Sequence, residues 1–175
     1  MTAAIIILIV TLFVSFLSIK TDLNFFLNLW PNRIFDFWRP FTYSFVHNDI
    51  NHLLSNSIFY CIGFLGFFQK FSNIDFIKFY FISAILSVIP YTIKNINNEV
   101  ATLSGNSAVV FSIFYGFIFV DPFAIWGLFG YGLPAYTFGT LHLFLSLYGT
   151  KNSKISVISH ISGLVIGIIY VKFFL

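Results

Sequence analysis

Charge is what this chain has least of. Only 9% of its 175 residues are Asp, Glu, Lys or Arg, and the nine basic and six acidic side chains leave a net charge of +3. They are scattered, with no run of one sign, which excludes the clustered basic face that nucleic-acid binding needs. There is a single cysteine, Cys61, inside an apolar run. An intrachain disulfide and a cysteine-based metal site are therefore excluded, and the thiol reads as a small buried hydrophobe. His47, His52, His142 and His160 have no carboxylate at ligand spacing and no HExxH occurs, so no metal and no other cofactor is expected. Repeats and low-complexity tracts are also missing.

What the chain has instead is hydrocarbon. Apolar residues make up 58%, aromatics 22%, and the mean hydropathy is +0.91. No ordinary soluble domain of this size has enough interior to bury that much. The sequence reads as an integral membrane protein, a single domain over residues 1–175. The first stretch, Met1–Ile19, lacks a basic leader and an A-x-A-type cleavage site, so it is expected to stay as a first span.

A bilayer core of roughly 30 Å takes about 20 apolar residues of helix. Six segments approach that length: 3–19, 49–69, 75–93, 106–120, 123–148 and 154–174. Pro90 is expected to kink or end the third, Asp121-Pro122 ends the fourth, and the long fifth is rich in glycine with Pro134 inside it. Backbone groups in lipid must be satisfied internally, so the expected fold class is an all-α membrane bundle of six transmembrane helices. Two regions depart from this pattern. Lys20–His47 alternates aromatics with Asn, Arg and Pro, which suits a structure lying at the membrane interface. Ser107–Val120 is too short to span alone and follows the polar stretch Asn95–Asn106. Its start is therefore expected at the floor of a water-filled cavity.

Ionisable side chains at membrane depth are expensive and mark functional sites. Three polar residues stand out. Ser107, in Gly105-Asn106-Ser107-Ala108, has small neighbours at a helix start, where free N–H groups and the helix dipole favour an oxyanion. The same position also suits a plain helix cap. His160, in Ser159-His160-Ile161-Ser162-Gly163 and on to Gly167, precedes small residues four apart that let helices approach closely. Packing alone would account for those glycines. His52 and Asn56 share one helix face and can both donate to a developing negative oxygen, or simply bond between helices.

Together these motifs resemble the rhomboid intramembrane serine proteases. Phe37-Trp38-Arg39-Pro40-Phe41-Thr42, then His47 and Asn51-His52-Leu53-Leu54-Ser55-Asn56, is similar to their first loop and second helix, which carry a Trp-Arg pair and a His-x-x-x-Asn motif. Gly105–Ala108 resembles their Gly-x-Ser-x nucleophile, and His160-x-x-Gly163-x-x-x-Gly167 their sixth-helix base motif. Order, intervals and helix count agree over nearly the whole chain, which looks most like the small bacterial forms.

The resemblance implies a Ser107–His160 dyad without a third carboxylate, with His52 and Asn56 as oxyanion donors. Trp38, Arg39, Gly105, Gly163 and Gly167 would be structural. It also implies transmembrane protein substrates within the lipid bilayer of a bacterial cell membrane. Ser104 remains a competing nucleophile in the frame Thr102-Leu103-Ser104-Gly105. Two positions depart from the family pattern: Ala108 replaces a frequent glycine, and Gln69 stands where many relatives have glutamate. The family orientation, N-terminus inside, leaves Lys20, Arg33, Arg39, Lys94, Lys151 and Lys154 outside against Lys70, Lys78 and Lys172 inside. That is opposite to the positive-inside tendency. The competing function is a catalytically inactive rhomboid-like protein that binds or chaperones membrane clients. A small transporter or complex subunit is a further alternative.

Overall fold

The computed structural model describes residues 2–67, 72–128, 131–149 and 156–174. Its helices are α1 (Thr2–Lys20), α2 (Leu23–Leu27), α3 (Arg39–Thr42), α4 (Ile50–Phe67), α5 (Asn73–Asn95), α6 (Ser107–Val120), α7 (Ala135–Gly149) and α8 (Val157–Phe174). A short 3₁₀ turn, Tyr43–Phe45, continues α3, and strands β1 (Ile125–Leu128) and β2 (Tyr131–Pro134) form an antiparallel hairpin before α7. The fold is predominantly helical. By length and composition α1, α5 and α8 can each cross a membrane, while α6 and the stretch Ile50–Leu65 of α4 are apolar but shorter. Gln69, Lys151 and Lys154, and the expected helix ends at 68–69 and 154–155, lie outside the described residues.

The fifth expected segment is corrected. A continuous helix over 123–148 does not form; the chain runs through the hairpin first, and α7 begins at Ala135, directly after Pro134. Proline lacks an N–H and disfavours helical geometry in the residue before it. With Gly127 and Gly132 facing each other across the strands, the stretch has little helix propensity. Pro90, by contrast, does not end its helix: α5 continues to Asn95.

At the centre of the fold is α6. Val109, Val110, Ile113 and Phe114 are wholly buried, so this helix of 14 residues, about 21 Å long, is wrapped by others. Against it α8 lies unusually close. A Cβ on Gly163 would land on the carbonyl oxygen of Ala108, and one on Gly167 on that of Ser112. The Ser112 hydroxyl donates to the Gly163 carbonyl at 2.7 Å, so a hydrogen bond adds to packing across this seam. Small residues at four-residue spacing act here as they do in membrane helices generally, by admitting backbone-to-backbone contact.

A second structural frame is the connection between α1 and α4. Arg39 is only 2% exposed. Its Nε donates to Asp36 at 2.6 Å, and its Nη1 to the carbonyls of Phe25 at 3.0 Å and Asn28 at 2.8 Å. Trp38 Nε1 donates to the Phe26 carbonyl at 3.1 Å, and Thr42 Oγ1 to that of Leu27 at 2.9 Å. A buried guanidinium needs its donors filled and its charge paired, and both are provided here. The Trp-Arg pair thereby folds the connection onto itself.

Gly163→Ala and Gly167→Ala should each wedge α8 away from α6. The expected loss is about 1–3 kcal/mol, as for overpacking elsewhere, read as a lowered midpoint of thermal unfolding in detergent. Val165→Leu, on the exposed side of the same helix, should leave the midpoint unchanged.

Candidate functional site: a serine and a histidine in a buried cavity

The site is assembled by the frame just described. The main chain of Leu29 pairs with that of Leu103 through two hydrogen bonds of 2.9 Å, and the Gly105 N–H donates to the Tyr43 carbonyl at 2.9 Å. The connection held by Arg39 thus holds the polar stretch that leads into α6. Gly105 has φ +95°, a left-handed conformation that glycine adopts without penalty. A Cβ there would also come within 2.7 Å of the His52 ring. Glycine at this position both turns the chain and admits two imidazoles, His52 and His47, beside the helix start.

Ser107 is the first residue of α6, and Asn106 occupies the cap position. The hydroxyl is therefore not serving as the cap. Its Oγ lies 2.8 Å from His160 Nε2. The His160 ring is buried, 7% exposed, and stacks flat on Phe111 with centroids 4.5 Å apart and an interplanar angle of 14°. Phe111 stands one turn after Ser107 on the same helix, so α6 supplies both the hydrogen-bond partner and the platform for the ring. Phe111 in turn packs on His142 of α7, at 4.4 Å.

A cavity of about 1000 Å³ opens over this pair, lined by Ser107, His160, His52, Ser104 and Gly105 among others. Its lining also includes the polar residues Asn48, Asp49, Asn51 and Asn98. His52 is set by the start of α4, where the Asp49 carboxylate accepts the His52 N–H at 2.8 Å, a standard cap of a helix start. Ser104 shares the cavity wall but the hydroxyl in contact with His160 is that of Ser107.

Asn56 is placed differently. It is 8% exposed and does not line the cavity. Its Nδ2 lies 3.1 Å from Nε2 of His47, a residue that sequence reasoning left without a role. His47 is fully buried, and its Nδ1 lies 2.8 Å from Ser15 Oγ on α1. The Ser15 hydroxyl donates to the Phe45 carbonyl at 3.0 Å, so it accepts from His47 Nδ1–H. His47 Nε2 is then an acceptor for the Asn56 amide. Burial first, and the neighbouring His52 ring second, hold the His47 imidazole down to about 3, so it stays neutral, as this proton order requires. One amide hydrogen of Asn56 is engaged and the other is left over. Ser15 could have been noticed on α1, where Thr11, Ser15 and Ser18 form a buried polar stripe in an otherwise apolar span.

Trp38 and Arg39 act at a distance from the cavity through the frame, and Gly163 and Gly167 through the α6–α8 seam. Cys61 is half-buried in α4. Among the described residues no carboxylate is bonded to His160.

Comparison with known families places this architecture. The family model of the Rhomboid domain matches residues 35–175, which takes in His47, His52, Asn56, Ser107 and His160. No curated protein matches the chain. Matched over most of its length, and with apolar helices long enough to cross a bilayer, the chain belongs to the rhomboid family of integral membrane proteins.

Proposed function

We propose that the protein is an intramembrane serine endopeptidase that cleaves transmembrane or membrane-adjacent segments of other proteins, with Ser107 as nucleophile and His160 as general base. The observation that carries this reading is the 2.8 Å approach of Ser107 Oγ to His160 Nε2 at the edge of a polar cavity. In this reading α1, α4, α5, α6, α7 and α8 are six spans of a multi-pass protein of the bacterial cell membrane. The site needs no cofactor.

The chemistry follows from the geometry. His160 Nε2 takes the hydroxyl proton as Ser107 Oγ attacks the scissile carbonyl carbon. The resulting oxyanion lies near the start of α6, where the Ser107 N–H is free of any intrahelical partner. His52 lines the same space, and Asn56, set back from the cavity wall against His47, is the further donor once its remaining amide hydrogen meets bound substrate. On collapse of the tetrahedral species the C–N bond breaks, and His160 returns the proton to the leaving amine. Water entering through the cavity then hydrolyses the acyl-serine by the same steps. A helical substrate must unwind locally first, because its amides are shielded by their own hydrogen bonds.

His47 acts here as a positioning residue. The chain Phe45 carbonyl, Ser15, His47, Asn56 fixes the amide so that its second hydrogen has one direction. The competing reading is an inactive relative that binds membrane clients. A hydroxyl and an imidazole bonded at the wall of an open cavity favour catalysis over it. Orientation with the N-terminus inside is the family's, and burial of Arg39 with Asp36 takes one of the six outer cations out of the positive-inside count.

Covalent labelling by a fluorophosphonate probe in liposomes separates the readings. Wild-type protein should label and cleave a model transmembrane substrate, while Ser107→Ala and His160→Ala should do neither and still fold. Labelling that survives Ser107→Ala would move the nucleophile to Ser104, and an unlabelled wild type would favour the client binder.

His52→Ala should retain weak activity, reduced roughly 10²–10³-fold in kcat, as for one oxyanion donor. His47→Ala should lower kcat at nearly constant KM and lower stability by about 1–3 kcal/mol, the cost of leaving a buried polar partner unpaired. Steady-state kinetics and thermal unfolding of the same preparations check both.

A further inference from the structure

The connection between α2 and α3 leans on α5, and a groove of about 180 Å³ runs between them. One wall is Ile85, Ile89 and Ile93, at four-residue steps on one face of α5; the other includes Trp30, Ile34 and Pro40. Ile34, Ile89 and Ile93 are 58%, 43% and 68% exposed. The groove is therefore a mostly apolar channel open to whatever surrounds the bundle, with Thr92 and the Arg39-paired carboxylate of Asp36 as its polar lining besides Arg33.

Its direction along the bundle is fixed by bonds at both ends, and its direction relative to the membrane follows if α5 spans as proposed above. Leu29, next to Trp30, pairs with Leu103 in the polar stretch before α6, and Tyr91 Oη donates to the Thr102 carbonyl at 3.0 Å. Tyr43 Oη donates to the Ala84 carbonyl at 2.8 Å, and Phe41 packs on Phe81. The Trp30 end thus lies at the aqueous end of α5, and the Pro40 end lies deeper. From Ile93 to Ile85 is about 12 Å of helix, close to the depth of one leaflet's hydrocarbon.

At the aqueous end sits Arg33. It is exposed, and its guanidinium is held over the rings of Phe25 at 5.0 Å and Trp30 at 5.6 Å. Among the described residues it has no acidic partner: the nearby Asp36 carboxylate is already bonded to Arg39 at 2.6 Å. The Trp30 indole N–H, in the same wall, is buried without an acceptor. A cation that lacks a counter-ion, at the mouth of an apolar channel one leaflet deep, has the complement of an anionic amphiphile.

We propose that this groove is a binding site for an anionic phospholipid, with its phosphate on Arg33 and one acyl chain lying between Ile34–Pro40 and the isoleucine face of α5. A free anion would meet a single exposed guanidinium and gain nothing from the channel. A zwitterionic lipid would bring its own cation toward Arg33. The site is separate from the Ser107 cavity and stands whether or not the protein is a protease.

The test is photolabelling of the full chain in phosphatidylcholine vesicles containing a phosphatidylglycerol probe with a diazirine on its acyl chain, followed by peptide mapping. The label should fall on residues 29–40 and 85–93. Arg33→Ala should reduce it about fivefold, the worth of one basic residue at an anionic surface, down to the level given by the matching phosphatidylcholine probe. Arg33→Lys should keep most of it. Ile89→Trp, which fills the channel, should remove the label, whereas Leu86→Trp on the adjoining exposed face should not. If Ile89→Trp does not fold, the Arg33 pair still decides. Equal labelling by the two probes in the parent protein, labelling indifferent to Arg33→Ala, or displacement of the label by inorganic phosphate would each overturn the proposal.

Discussion

The approach of α8 to α6 governs the site more than any single hydrogen bond does. His160 and Ser107 lie 53 residues apart in the chain, on two different helices, and how closely two packed helices approach is set by the side chains at their contact. Gly163 and Gly167 remove the side chains that would keep the backbones apart. The Ser112 hydroxyl then ties the seam with a bond to the Gly163 carbonyl. In hydrocarbon such a seam gains nothing from water release, so close packing and hydrogen bonds must hold it. The stacking of His160 on Phe111 is a consequence: only with the backbones in contact does the ring lie flat on α6.

The second constraint is polar and belongs to the other side of the cavity. Arg39 gathers the α1–α4 connection around itself, and the connection in turn grips Leu103 and Gly105. The short helix α6 has a non-helical approach, whose amides need partners. Leu29 and Tyr43 supply them. The same connection presents His47 to Asn56 and Ser15, so one loop fixes both the approach to Ser107 and the orientation of a neighbouring amide. Its outer face, with Arg33 and Ile34, is free to meet lipid.

Several features were legible in the chain because they are local. The start of α6 at Ser107 follows from the change between a polar stretch and an apolar run. The glycines of α8 follow from their four-residue spacing, and the membrane character from composition. The hairpin of β1 and β2 has the apolar composition of a spanning helix, and only Gly127, Gly132 and Pro134, whose backbone preferences oppose a helix, mark it as something else. His47 carried no local signal for its part. Its partners, Ser15 and Asn56, lie 32 and 9 residues away, and the nearer of them pointed, from spacing alone, toward the cavity beside His52. Phe111 was one phenylalanine among 26, with nothing in its spacing to mark it as the platform under His160.

By itself the sequence determined the solvent this protein folds in and the start of α6 at Ser107, because hydropathy and backbone propensity act over a few neighbouring residues. It also determined which polar residues would be costly to bury. Only the tertiary structure decided which of those residues meet: that Ser107 rather than Ser104 touches His160, that Asn56 turns to His47, and that Arg33 is left facing the groove. Such pairings depend on how closely whole helices and one loop settle against each other, and that distance is set by packing across the bundle, which no short stretch of sequence encodes.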